Sequence, residues 1–248
     1  MDVSLQEALG VHRGDTVAFV GAGGKTSAIR HLAAELSAQR NRVLVLSTTK
    51  IEAQRGAIDT LLCPTLSLAR EAAAMRRDGD PPLLLVTERL PTRLRGVPLE
   101  WVAPLAGCVD VVLVQADGAA RRPFKAPAAH EPVIPPTATI VVAVAGLDVI
   151  GRPIDERYVH RPERVAALAG VEIGTPLTVE LAARVLLHPQ GGFRAAPPAA
   201  RRAILLNKAD DPSALATADA LATLLRSQCD IRIVITALRS PPVVRAFR

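Results

Sequence analysis

Short runs rich in Val, Ile and Leu recur at 16–20, 43–47, 83–87, 111–115, 139–144, 202–206 and 231–235. Each is nearly continuous in apolar residues, the pattern of strands covered on both faces of a sheet. Between them, Ala/Leu/Arg-rich stretches of helical period predict helices at 26–39, 66–77, 99–105, 162–169, 178–187 and 212–227, with Pro162 and Pro212 suited to a first turn. Strand and helix in alternation imply an α/β fold of three layers, α/β/α, around a largely parallel sheet of about seven strands. No internal repeat is visible, which excludes a solenoid. The Pro/Ala/Arg-rich stretches at 121–136 and 191–201 each lie between strands of one expected sheet. They read as loops, so residues 1–248 are expected to form one domain, with a Pro-rich loop insertion around 121–136 and a helical insertion around 147–200.

Composition narrows the partners. A chain of 248 residues that is 49% hydrophobic can build a sizeable core. Its 30 basic and 24 acidic residues leave a net charge of +6, which suits a nucleotide, a nucleic acid or a phosphorylated metabolite. Aromatic residues make up only 2%, too few for the stacking platforms of single-stranded nucleic-acid readers. Arg76-Arg77, Arg121-Arg122 and Arg201-Arg202 keep a basic nucleic-acid-binding protein as an alternative, but the expectation is no nucleic-acid partner. Cys63, Cys108 and Cys229 are scattered without a C-x-x-C pair and read as small buried hydrophobes. The longest apolar run, 139–147, is too short to span a bilayer, and no basic-then-apolar leader opens the chain, so a cytoplasmic protein without a membrane partner is expected.

The first strand runs directly into Gly21-Ala22-Gly23-Gly24-Lys25-Thr26 and then a helix. Glycines without Cβ let backbone N–H groups close on phosphate oxygens, and the helix N-terminus adds partial positive charge. Lys25 can reach the β- and γ-phosphates and Thr26 can ligate Mg²⁺. Phe19 stands where the first glycine of G-x-x-x-x-G-K-[ST] belongs, so the loop is a variant of the phosphate loop of P-loop NTPases. The strand at 111–115 ends in Gln115-Ala116-Asp117-Gly118, placing Asp117 beside that loop as a second Mg²⁺ ligand and, with Lys25, a catalytic residue.

The strand at 202–206 leads into Asn207-Lys208-Ala209-Asp210, an N-K-x-D pattern. A carboxylate such as Asp210 accepts the N1–H and N2–H donors of guanine, Asn207 can serve O6 and N7, and the Lys208 stem can cover the ring. Thr236-Ala237, at the end of the last strand, matches the short element that supports guanine O6. GTP is therefore the expected ligand, with ATP the alternative, and NTP hydrolysis the expected activity. Thr48, Thr49 and Lys50 close the second strand. Lys125, His130 and Glu131 lie in the Pro-rich segment, and Asp148, His160 and Arg161 follow it. These residues are expected to bind a second, anionic substrate or to sense the γ-phosphate, with the histidines as proton carriers. The same residues permit a small-molecule kinase or nucleotidyl transferase as the alternative enzyme.

Taken together, residues 19–26, 47–51, 115–119, 125–135, 146–148, 159–161 and 206–210 resemble the YqeC-like, selenium-dependent molybdenum-hydroxylase accessory proteins, also called selenium cofactor biosynthesis proteins. The resemblance covers most of the chain. It implies a P-loop nucleotide-binding fold and a part in maturing a selenium-containing molybdenum hydroxylase, with that enzyme or its cofactor as partner. It also implies Glu where this chain has Gln115, which removes a carboxylate that could orient water or hold Mg²⁺ through its shell.

Overall fold

In the structure, a computed structural model, residues 3–52, 58–238 and 243–247 are described. The strands are β1 (Thr16–Gly21), β2 (Val43–Ser47), β3 (Lys50–Glu52), β4 (Asp59–Leu62), β5 (Leu83–Val86), β6 (Glu88–Arg89), β7 (Arg93–Arg95), β8 (Val111–Gln115), β9 (Phe124–Lys125), β10 (Ile140–Gly146), β11 (Val159–His160), β12 (Arg201–Asn207), β13 (Arg232–Ala237) and β14 (Val243–Phe247). The helices are α1 (Leu5–Leu9), α2 (Lys25–Ala38), α3 (Leu66–Ala74), α4 (Val102–Ala106), α5 (Pro162–Ala169), α6 (Val179–Leu187) and α7 (Pro212–Gln228).

Among the described residues, nine strands form one sheet in the order β14-β13-β12-β10-β1-β8-β2-β5-β4, parallel except where β14 runs against β13. Side chains alternate across it, so each β1 residue commits to one layer. Val17 and Phe19 pack with α1 and α2, whereas Ala18 and Val20 pack with the layer that holds α5, α6 and α7. A third cluster joins Leu44, Leu46, Val112 and Val114 to α3 and α4. This is the three-layer arrangement the apolar pattern implies.

The sheet exceeds the expected seven strands because its two edges, β4 and β14, lack the buried-strand pattern. All four residues of β4 are exposed. Helix α1 was too short for a periodicity signal and is instead fixed by a capping box between Ser4 and Glu7. The stretch at 99–105 is a 3-10 turn, Leu99–Trp101, followed by α4.

The chain leaves β1 towards β8 and β2 on one side and later returns to β10 on the other, so β1 sits at the switch point where open α/β sheets bind ligands beyond their strand ends. Two small sheets flank that edge: β3-β7-β6, antiparallel, and β9-β11, parallel. No helix of the described residues is long and apolar enough to cross a membrane.

Candidate functional site

Beyond the β1 end lies a cleft of about 460 Å³, bordered by Gly23–Ser27, by Lys50–Glu52 of β3 and Arg93 of β7, by Gln115 and residues 118–122, and by Asn207, Lys208, Asp210 and Leu238. Phe19, at the position of the missing first glycine, is a fully buried β1 core residue, so the loop proper starts at Gly21. Gly21, Gly23 and Gly24 have φ of 89°, 83° and 143°. A Cβ on Gly23 would stand 2.2 Å from Gly146 N, and one on Gly24 would stand 2.1 Å from Asn207 Nδ2. Only glycine allows this approach.

Three loop N–H groups are already engaged: Gly21 with Asp117 Oδ2 (3.0 Å), Ala22 with the Val144 carbonyl (2.9 Å) and Gly23 with the Arg122 carbonyl (3.1 Å). The first turn of α2, by contrast, has no side-chain cap. Its backbone donors and the dipole of a 14-residue helix border the cleft, and they match an oxyanion.

Lys25 does not extend into open solvent. It is 5% exposed, donates to the Gly21 carbonyl, and pairs with Asp117 Oδ1 at 3.0 Å. Burial pulls its pKa down, against the raising effect of Asp117. Asp117 Oδ1 has this ion pair but no directed hydrogen bond. Its other oxygen meets Lys125 Nζ at 3.0 Å. Lys125 in turn donates to the Gly118 carbonyl (2.6 Å) and to Glu131 Oε2 (2.7 Å), and Arg161 grips Glu131 with Nη1 at 2.7 Å and Nη2 at 3.2 Å. A chain of charges thus runs from the glycine loop into the interior.

Burial pushes the Glu131 carboxyl up, but the hydrogen bonds from Arg161 and Lys125 outweigh it and hold its pKa at about 2. A depressed folded-state pKa adds stability above the ordinary carboxylate value, and that stability is lost as pH falls through the folded value. Urea unfolding midpoints are therefore expected to drop between about pH 4.5 and pH 2, and to drop less in Glu131→Gln. Equal acid slopes in the two proteins would refute this linkage. His160 is pushed down by burial and by the neighbouring Arg161 and Lys125 charges.

On the other wall, Asn207 Nδ2 donates to the Gly23 carbonyl (2.8 Å), and its Oδ1 accepts from Thr236 Oγ1 (3.1 Å) and Leu238 N (3.4 Å). Asn207 therefore fastens the glycine loop to the ends of β12 and β13. Lys208 pairs with Asp148 at 2.6 Å. Thr26 Oγ1 donates to Gln115 Oε1 at 3.2 Å.

Of the residues expected from sequence, the structure brings Gly23, Gly24, Lys25, Thr26, Lys50, Asn207, Lys208 and Asp210 to one cleft, whereas Gly21 does not line it and its N–H donates to Asp117. Thr236 and Asp148 support it from behind, through Asn207 and Lys208. Ala237, at the end of β13, immediately precedes the cleft-lining Leu238. Asp117, Lys125, Glu131, His160 and Arg161 do not line the cleft; all but His160 belong to the ion chain, and His160 adjoins it through the Arg161 and Lys125 charges. Thr48 is fixed to the Val133 carbonyl (2.7 Å), the Thr49 carbonyl accepts from Ser47, and His130 is exposed. Glu52, Arg93, Arg121 and Arg122 line the cleft without having been singled out as site residues. Among the described residues no group of three or more His, Cys, Asp or Glu is arranged to hold a metal ion.

The family model described as YqeC protein matches residues 17–163, well over half of the chain, including the loop, Asp117 and the Lys125–Arg161 segment. The chain is also 28% identical over 247 residues to the uncharacterized protein YqeC of Escherichia coli strain K12, covering 96% of this chain and 94% of that protein. With its glycine loop and interior charges inside the matched stretch, the chain belongs to the YqeC family.

Proposed function

We propose that the protein binds Mg·GTP in this cleft, hydrolyses it, and acts as an accessory factor in the maturation of a selenium-dependent molybdenum hydroxylase. The client rests on family membership. The nucleotide rests on one observation above others: the glycine loop at positive φ, the uncapped turn of α2 and the N-K-A-D strand end all border a single cleft. Its lining combines what a nucleotide needs: backbone donors and Lys25 at the start of α2 for phosphate, and Lys208 and Asp210 for a base.

The donor set fits a phosphate group. Mg²⁺ would be held by the nucleotide's own oxygens and the Thr26 hydroxyl, where it neutralises phosphate charge. Asp117 is not at the cleft wall, and its part is to hold Lys25 and the Gly21 N–H in place. The kinase or transferase alternative is less well served, because Lys125 and Arg161, its expected acceptor-holding groups, are engaged by Glu131.

Calorimetric titration with Mg·GTP and Mg·ATP tests the reading, and a clear preference for GTP is the expected result. Asp210→Ala is then expected to weaken GTP by about ten- to a hundredfold with ATP nearly unchanged, as for the loss of a charged hydrogen-bond partner. Equal affinity for both nucleotides in the parent protein would remove guanine reading, and silence from both would overturn nucleotide binding. Gln115→Glu places a carboxylate beside the Thr26 hydroxyl. It is expected to raise steady-state turnover, and an unchanged rate would exclude this position from the hydrolytic step.

A further inference from the structure

The turn at 118–122 sits directly on the phosphate loop. The Gly23 N–H donates to the Arg122 carbonyl at 3.1 Å, and a Cβ on Gly23 would stand 2.5 Å from the Pro123 carbonyl oxygen. Within that turn Ala120 and Arg121 are non-glycine residues at φ of 46° and 59°, closed by the Arg122 N–H on the Ala119 carbonyl at 2.8 Å. Left-handed backbone at two successive residues with side chains is strained, and it places the Arg121 side chain at the cleft rim.

From there Arg121 reaches Glu52 of β3, which lines the same cleft. Its Nε donates to Glu52 Oε1 and Oε2 at 2.9 and 3.0 Å, and its Nη2 donates to Oε2 at 2.7 Å. Arg93, paired in register with Glu52 across β3 and β7, adds a second positive charge that also lowers the Glu52 pKa, after the Arg121 hydrogen bonds. The Arg121 side chain is 80% exposed and that of Glu52 is 53% exposed, so solvent screens the pair and the arginine can leave it at little cost.

A planar carboxylate held by an arginine fork has the shape and charge of a phosphate's two oxygens. The rim carrying this pair borders the same cleft as the α2 turn and Thr26. Resting on the nucleotide reading above, we infer that Arg121 binds the terminal phosphate of a nucleoside triphosphate, and that Glu52 holds its place when no triphosphate is bound. Arg121 then distinguishes triphosphate from diphosphate. In hydrolysis a bond forms from the water oxygen to the γ-phosphorus as the bond from that phosphorus to the β–γ bridging oxygen breaks. Both of the water's protons leave with inorganic phosphate as dihydrogen phosphate, and the bridging electrons stay on GDP. Arg121 offsets the negative charge on the phosphoryl oxygens during that exchange.

The test compares the parent protein with Arg121→Ala, Arg121→Lys and Glu52→Gln, using Mg·GDP, a non-hydrolysable β,γ-imido GTP analogue, and GTP turnover. Arg121→Ala is expected to retain GDP affinity within about twofold, to lose about tenfold for the analogue, and to lose about a hundredfold or more in kcat. Arg121→Lys, which keeps charge but not the fork, should fall between. Glu52→Gln frees the arginine, so analogue affinity should rise while GDP affinity stays unchanged. A merely structural Arg121 would shift GDP and analogue together. If the parent binds both nucleotides and Arg121→Ala leaves their ratio and the turnover unchanged, the role of Arg121 is overturned while the nucleotide site stands. If the parent binds neither, the nucleotide reading itself fails and this inference with it.

Discussion

Lys25→Ala is expected to lower Mg·GTP affinity by about a hundredfold or more and to abolish turnover, while the thermal midpoint stays close to the parent value. The first half follows from position. Lys25 opens α2 and borders the cleft beside the glycine loop and the helix donors, and a bound phosphate is expected to compete with its partners there, the Gly21 carbonyl and Asp117. The second half follows from charge. The interior chain holds three cations, Lys25, Lys125 and Arg161, against two carboxylates, Asp117 and Glu131. Removing Lys25 leaves two of each; Asp117 Oδ2 keeps Lys125 and the Gly21 N–H, and Oδ1, which has no other partner among the described residues, is expected to take water from the cleft that Lys25 borders. Burial already pulls the Lys25 pKa down, which marks this ammonium as costly to keep in the interior. Calorimetry with Mg·GTP, paired with a melting curve, measures both halves. Retained affinity would remove Lys25 from the site, and a collapsed melting curve would mean that the lysine is a structural member of the ion chain.

The pattern of the sequence reaches far into this fold because its central strands are buried on both faces. The run at 43–47 coincides with β2, and 162–169 coincides with α5, where Pro162 begins the helix and Gly170 closes it in the left-handed conformation. What periodicity misses is held by partners distant in the chain. Strand β3 is three residues long and exists because it pairs with β7, and β4 borrows its register from β5. The site divides along the same line. Gly21 to Thr26 and Asn207 to Asp210 are legible because their chemistry is carried by adjacent residues. Glu52, Arg93 and Arg121 come from three separate segments and carry no local spacing, so only the folded chain brings them to one rim. Lys125 and Glu131 show a different limit. A lysine and a glutamate in a Pro-rich loop are expected to meet an anionic substrate, yet Lys125 is 7% exposed because Asp117 and Glu131 accept its charge from two directions.

Asp117→Ala is expected to be the most destabilising single change in this site, by about 3–5 kcal/mol, the usual cost of removing one partner from a buried ion pair. For a chain of this length that corresponds to a fall in Tm on the order of 10 °C. The carboxylate joins two buried ammoniums, Lys25 at 3.0 Å and Lys125 at 3.0 Å, and accepts the Gly21 N–H at the first residue of the loop. Its loss leaves three cations facing Glu131 alone and frees the turn that sets the glycine geometry. If charge is the cause, removing one of the stranded cations must help. Lys25→Met in the Asp117→Ala background is expected to recover part of the lost stability, although Lys25→Met in the parent protein brings no comparable gain. Urea unfolding of the four proteins gives the coupling energy directly, since residues in one ion network are not additive. Additive effects would mean that Asp117 acts through its hydrogen bond to Gly21 alone. A positive coupling would make this residue the link by which Lys25, drawn onto a phosphate, loosens its hold on Asp117 and changes the charge felt by Lys125, Glu131 and Arg161 behind the cleft.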